Sequence, residues 1–187
     1  MVVFMSYSIS DLARVLRVFS SNNVKFTIIG DTCIQIVLGK ESFINDIDLF
    51  IIEPSIFDNE RFYMNLAISN GWEYSYTEIG TPRLIANING KEIVIELYEN
   101  YLDIDIPESI INKSRVVNIN DLKIRILYPE QYLVLKARQG VDLDKLKQYV
   151  RELKQIDYKL LKETIDKYPE DERKVIIERL EDIGLYI

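Results

Sequence analysis

Apolar positions along the chain follow two rhythms, one at the helical repeat and one alternating residue by residue. Leu12, Val15, Leu16 and Phe19 fall at i, i+3, i+4 and i+7, the stripe a helix turns toward a core, and Ser10 offers a hydroxyl suited to its start. Asn22-Asn23 breaks that helix. Residues 24–29 are β-branched and aromatic and end at Gly30, which predicts a buried strand. Helical spacing returns over 31–38 with Gly39 placed as its C-cap, and 46–52 predicts a second strand stopped by Pro54. Phe62, Tyr63, Leu66 and Ala67 mark a third helix, ended by Asn70-Gly71.

The alternating rhythm then takes over. A strand is expected over 72–77, followed by a hairpin whose arms, 83–88 and 91–98, flank Asn89-Gly90, the strongest short hairpin signal. A second hairpin joins 116–119 to 122–127 around Asn120-Asp121. Beyond Pro129 the character changes. Proline suits the first position of a helix over 130–138, and Leu, Lys and Glu dominate to the end, broken by Gly140 and Pro169. Three or four helices are expected there. The pattern predicts an α+β protein with a mixed sheet and flanking helices over residues 1–127, and a helical region over 128–187 packed on it. No repeat and no Gly-, Ser- or Pro-rich linker separates the two.

Composition narrows the chemistry. Apolar residues make up 48% and charged residues 28%, the balance of an ordinary globular chain. The net charge is −7 with no basic run, so partners such as long nucleic acid are not expected. The lone cysteine, Cys33, forms no intrachain disulfide and is expected to pack as a small apolar residue. The first ten residues do not read as a secretory signal, and no apolar run reaches the roughly 18 residues that span a bilayer, so a cytoplasmic location is expected. The chain has no histidine. That excludes Ser-His-Asp hydrolysis, HExxH zinc sites and imidazole bases, and leaves carboxylates, Lys, Tyr or a hard metal ion.

Asp46 and Asp48 stand two apart in a predicted strand, so they project from one face while Ile47 and Leu49 face the other. Adjacent carboxylates raise each other's cost of ionisation, which a cation relieves; Mg²⁺, with its preference for oxygen ligands, fits. Glu96 lies amid apolar residues on the second hairpin strand, on one face with Glu92 and Val94. If that strand neighbours 46–52, Glu96 converges on the pair, whereas Glu92, nearer the turn, is expected in solvent. Two further Asp-x-Asp triplets, Asp103/Asp105 and Asp142/Asp144, lack the preceding strand-glycine-helix unit and read as structural. Asp31 reads as a helix N-cap and Trp72 as a core residue.

The order of apolar strand, Gly30 turn, short helix, Asp46-Ile47-Asp48 in a strand and an acid in a later strand resembles the nucleotidyltransferase superfamily related to DNA polymerase β. The small AbiEii-type and minimal nucleotidyltransferases are nearest in length. Further on, the segment from Tyr128 to Lys136 is similar to the helix that follows the family's sheet. The resemblance implies Asp46 and Asp48 holding two Mg²⁺ ions, with Glu96 sharing a metal and helping to deprotonate an acceptor hydroxyl. It implies Gly30, Asp31 and Thr32 beside the phosphates of an NTP, and Lys136 neutralising phosphate charge. The reaction would be in-line attack of the hydroxyl on the α-phosphate, with pyrophosphate leaving. The acceptor stays open among a small molecule, a protein and an RNA end.

The chain also departs from that pattern. Its turn is Gly30-Asp31 where the family more usually has Gly-Gly or Gly-Ser, and its third acid is Glu96 where Asp is more usual. Ser42-Phe43-Ile44-Asn45 stands where basic residues often precede the paired aspartates. Two other classes therefore stay open. One is the same fold without the chemistry, a nucleotide- or partner-binding module such as an antitoxin-like component of a toxin–antitoxin pair. The other is an acidic interaction protein that binds no nucleotide.

Overall fold

Alternating segments become one mixed sheet in the computed structural model, which describes residues 6–101 and 104–187. Its strands are β2 (Lys25–Ile28), β4 (Ile47–Glu53), β5 (Glu73–Tyr76), β6 (Pro82–Ile88), β7 (Lys91–Tyr98), β8 (Arg115–Ile119) and β9 (Leu122–Ile126), in the order β5-β6-β7-β4-β2-β9-β8. A separate two-stranded sheet pairs β1 (Tyr7–Ser8) with β3 (Ser42–Phe43). Contacts divide the chain into two units. The first runs to Asp105 and takes in Val116–Ile126; the second comprises Ile106–Arg115 and Leu127–Ile187.

In the first unit β4 lies parallel to β7 and antiparallel to β2, so the two central strands carry the predicted acids side by side. The turn at Asn89-Gly90 has positive φ at both residues, 54° and 73°, the geometry that matches the twist of a tight hairpin. It sets the register from Ile88↔Lys91 outward to Arg83↔Glu96. One sheet face is apolar throughout: Ile28, Ile47, Leu49, Ile95 and Leu97 are all fully buried. Helix α1 (Ile9–Ser21) meets the sheet through Phe19, whose ring lies 6.0 Å from Phe26 and 6.3 Å from Trp72. Trp72, expected in the core, is only half-buried against that ring.

Helix α1 starts earlier than expected. Its cap is Ser8, not Ser10: Ser8 Oγ accepts from the Asp11 amide at 3.2 Å, and the Asp11 carboxylate accepts from the Ser8 amide at 3.0 Å. Asp11, 3% exposed, also accepts from Asn89 Nδ2 at 2.8 Å and from Lys91 Nζ at 3.4 Å, so the helix start is tied to the hairpin turn. Helices α2 (Asp31–Val37) and α3 (Glu60–Ser69) complete this unit.

The second unit holds α4 (Glu108–Asn112), a short helix absent from the sequence reading, and α5 (Pro129–Gln139), α6 (Leu143–Glu152), α7 (Tyr158–Ile165) and α8 (Glu170–Asp182). Pro129 occupies the first turn of α5, and Gly140 ends it in the left-handed conformation. Asp142 and Asp144 stand at the start of α6, as their spacing suggested. Asp103 lies outside the described residues. Among the described residues no helix is long and apolar enough to cross a membrane.

Candidate active site

The register of the sheet lines up the charged residues. Asp48 on β4 pairs with Glu96 on β7, and Glu96 pairs with Arg83 on β6. On the other side, the Ile29 amide donates to the Asp48 carbonyl at 3.1 Å, which brings the strand-to-helix turn at Gly30 against Asp48. Asp46, just ahead of β4, is half-buried like Asp48, while Ile47 and Leu49 between and beyond them are fully buried. That is the alternation expected of one polar and one apolar face.

Gly30 is needed for space, not for backbone freedom. Its φ of −86° is open to any residue. A Cβ built there would lie 1.6 Å from Asp48 Oδ2, 2.5 Å from its Cγ and 2.8 Å from its Cβ. The Asp48 carboxylate therefore occupies the volume a side chain at residue 30 would fill. Gly30 is also the N-cap of α2, which corrects the expectation for Asp31: that residue is the first of the helix, buried, with its carboxylate accepting from Asn45 Nδ2 at 2.8 Å.

Glu96 is 8% exposed and held on both oxygens. Its Oε1 accepts from Arg83 Nε at 3.0 Å and Nη2 at 2.6 Å, and its Oε2 accepts from the Tyr98 hydroxyl. Burial first, then the charge of Glu96, raises the Asp46 carboxyl above its ordinary range, and the nearby Arg83 opposes this. Tyr98 is pushed well up by burial and by the charges of Asp48, Glu96 and Asp46, so it stays a neutral donor. Tyr7 behaves alike, raised chiefly by burial with Asp48 and Asp46 adding; its hydroxyl lies 3.2 Å from Thr32 Oγ1. Thr32 is fully buried, with its hydroxyl 3.5 Å from the Asp46 carbonyl. The Tyr7 ring stacks on Phe43 at 5.6 Å, which anchors the segment leading to Asp46.

Asp46, Asp48, Glu96, Gly30, Asp31 and Thr32 thus lie together in the first unit. Lys136 belongs to the second, where its Nζ is 3.6 Å from the Asp142 carboxylate. Arg83, Tyr98 and Tyr7 were missed by the sequence reading. The signal for Arg83 was present, because a two-residue turn at Asn89-Gly90 fixes which residue stands opposite Glu96. Tyr7 reaches the site through tertiary packing, which no local pattern announces.

The donor set suits a hard divalent cation: half-buried carboxylates, one of them destabilised in its charged form, beside a glycine that makes room for the other. Asp46 and Asp48 are the residues fitted to hold it. Among the described residues, no group of three or more His, Cys, Asp or Glu side chains is arranged to hold a metal ion. The third acid is engaged by Arg83 and Tyr98.

Comparison with solved structures finds the same architecture. The crystal structure of an antigenic nucleotidyltransferase-like protein from Paracoccidioides brasiliensis superposes with a TM-score of 0.60 at 15% identity, covering 96% of this chain and 91% of that one. The solution structure of the antibiotic-resistance factor ANT(2″)-Ia gives a TM-score of 0.49 at 13% identity, covering 93% and 91%. At these identities the likeness is one of fold, and it rests on the first of the two. No match is found among curated proteins. A family model described as nucleotidyl transferase of unknown function (DUF2204) matches residues 8–182. With nearly its whole length inside that match, and with a nucleotidyltransferase-like sheet carrying paired aspartates at its centre, the chain belongs to this nucleotidyl transferase family.

Proposed function

We propose that the protein transfers a nucleoside monophosphate from an NTP to a hydroxyl acceptor, using Mg²⁺ held by Asp46 and Asp48. The observation that carries this reading is the seating of the Asp48 carboxylate in the space left by Gly30, next to Glu96, whose charge also acts on Asp46. A site that was only structural would gain nothing from Glu96 packed near Asp46, whose ionisation it makes costlier.

In this reading a divalent ion held by Asp46 and Asp48 would supply Lewis-acid polarisation at the α-phosphate. The protein's own residues have separate tasks. Asp46 and Asp48 bind and orient the ion. Glu96, fixed by Arg83 and Tyr98, faces the attacking hydroxyl and accepts its proton as the new P–O bond forms and pyrophosphate departs. Gly30, Asp31 and Thr32 form the turn beside the phosphates. A second reading, a nucleotide-binding module without transfer, is favoured by Asp31, whose carboxylate is fixed at the start of α2 by Asn45.

One experiment separates them. The full chain is incubated with labelled NTPs, Mg²⁺ and cell-extract fractions containing small molecules, proteins or RNA. The expected result is label on one acceptor class, lost with EDTA and lost in Asp46→Asn and Asp48→Asn. Nucleotide binding with no label transferred to any fraction would favour the second reading.

A further inference from the structure

We infer that Arg83 holds the place beside Glu96 that a second ion would take, so that the chain binds one divalent cation, on Asp46 and Asp48, and Glu96 is a proton-accepting carboxylate, not a metal ligand. The inference rests on the proposed nucleotidyl-transfer reading and deepens it by fixing the number of ions.

Oε1 of Glu96 already accepts from two guanidinium nitrogens, which fills it, while Oε2 accepts from the Tyr98 hydroxyl and keeps one lone pair for the acceptor's proton. This arrangement is built in. Arg83 and Glu96 are directly opposed on neighbouring strands in a register that the Asn89-Gly90 turn sets five pairs away, and the Glu96 side chain is only 11% exposed. Mg²⁺ binds oxygen at about 2.0–2.1 Å, so an ion on Glu96 Oε1 would be pressed against a fixed positive charge that shares the same atom. The arrangement of the acids points the same way, because among the described residues no three acidic side chains close around one point. Arginine is suited to the task, since it keeps its charge at any working pH and its planar fork matches a carboxylate.

The test counts ions and needs no turnover. Purified full-length protein is dialysed to equilibrium against Mn²⁺, with and without a saturating non-hydrolysable NTP analogue, and the ions retained per chain are measured. One Mn²⁺ per chain is expected in both conditions for the wild type, for Arg83→Lys and for Tyr98→Phe. Two are expected for Arg83→Gln with the analogue bound. Two ions in the wild type would overturn the inference and leave nucleotidyl transfer standing. A single ion in Arg83→Gln, or two in Tyr98→Phe, would show that Arg83 is not what excludes the second ion. No retained ion in the wild type would remove the metal site altogether, and the proposed function with it. If Arg83→Gln does not fold, the wild-type count still decides.

Discussion

Replacing Gly30 by alanine adds one methyl group at the point where the structure has least room for it. The new Cβ would stand 1.6 Å from Asp48 Oδ2, and that oxygen must retreat to at least 3.0 Å before the contact is tolerable. If Asp48 binds the ion as proposed, a displacement of this size is large on the scale of catalysis, where a misplacement of about 1 Å lowers the rate about 100-fold. Two effects on stability oppose each other. Overpacking a well-filled site costs about 1–3 kcal/mol. Removing a glycine from the unfolded chain stabilises by about 0.4–1 kcal/mol where the native backbone accepts alanine, and a φ of −86° does accept it. In the wild-type background the clash should win, giving a net loss of up to about 2 kcal/mol. In an Asp48→Gly background the three atoms nearest the new methyl are gone, so the same change should reverse sign and stabilise by about 0.4–1 kcal/mol. In Asp48→Ala the two Cβ atoms remain 2.8 Å apart, and the effect should fall between. Urea denaturation of the four proteins of this cycle, in EDTA so that no ion contributes, yields the coupling directly. Equal effects of Gly30→Ala in both backgrounds, within about 0.5 kcal/mol, would refute the packing of Asp48 on Gly30.

Two further outcomes follow from the electrostatics. The Asp46 carboxyl is raised by burial and by Glu96, so the folded protein binds that proton more tightly than the unfolded chain; stability present below the ordinary Asp range must fall as pH rises through the window up to the raised value. Asp46→Asn in EDTA should flatten this fall and be at least as stable as wild type at neutral pH, and a clear loss in urea midpoints would sink the strained-carboxylate reading. Asp11 has the opposite sign: burial pushes it up, but hydrogen bonds from Ser8, Asn89 and Lys91 outweigh burial and hold it below its ordinary value. Its contribution is therefore present above the ordinary Asp range and lost as pH falls through the depressed value, and Asp11→Ala should cost about 1–3 kcal/mol at neutral pH. A cost under about 0.5 kcal/mol would show that the tie between α1 and the hairpin contributes little.

Most of the sheet was legible because its strands are long enough to show a period and are bounded by residues with one structural use. Asn89-Gly90 is the clearest case, since few dipeptides other than Asn-Gly meet the positive φ at both positions so readily. The segments that escaped are those too short to carry a rhythm. β1 and β3 have two residues each, and α4 has five. The start of α1 was misplaced by two residues because Ser8 and Ser10 are chemically equivalent as caps. The choice is made by Asp11, which lies three residues after Ser8 and can return a hydrogen bond to it.

The candidate site was legible in the same uneven way. Asp46, Asp48 and Glu96 stand out because acids interrupt apolar strands, and the parallel pairing of β4 with β7 aligns Asp48 with Glu96. What the acids do with their charge could not be read from them alone, because the answer lies in residues whose types are ordinary. Arg83 is an unremarked arginine on a strand until the hairpin register is counted out to Glu96. Tyr98 follows two residues after Glu96 on the same strand face, where its hydroxyl meets the free side of that carboxylate. A chain of net charge −7 gathers three acids at the centre of its sheet and sets Arg83 against one of them, Glu96, in a register fixed by a turn five residue pairs distant. The paired carboxylates alone suggested a cation, and the family resemblance implied two. In the proposed site the third acid carries a cation of the protein's own, and the hairpin register is what places it there.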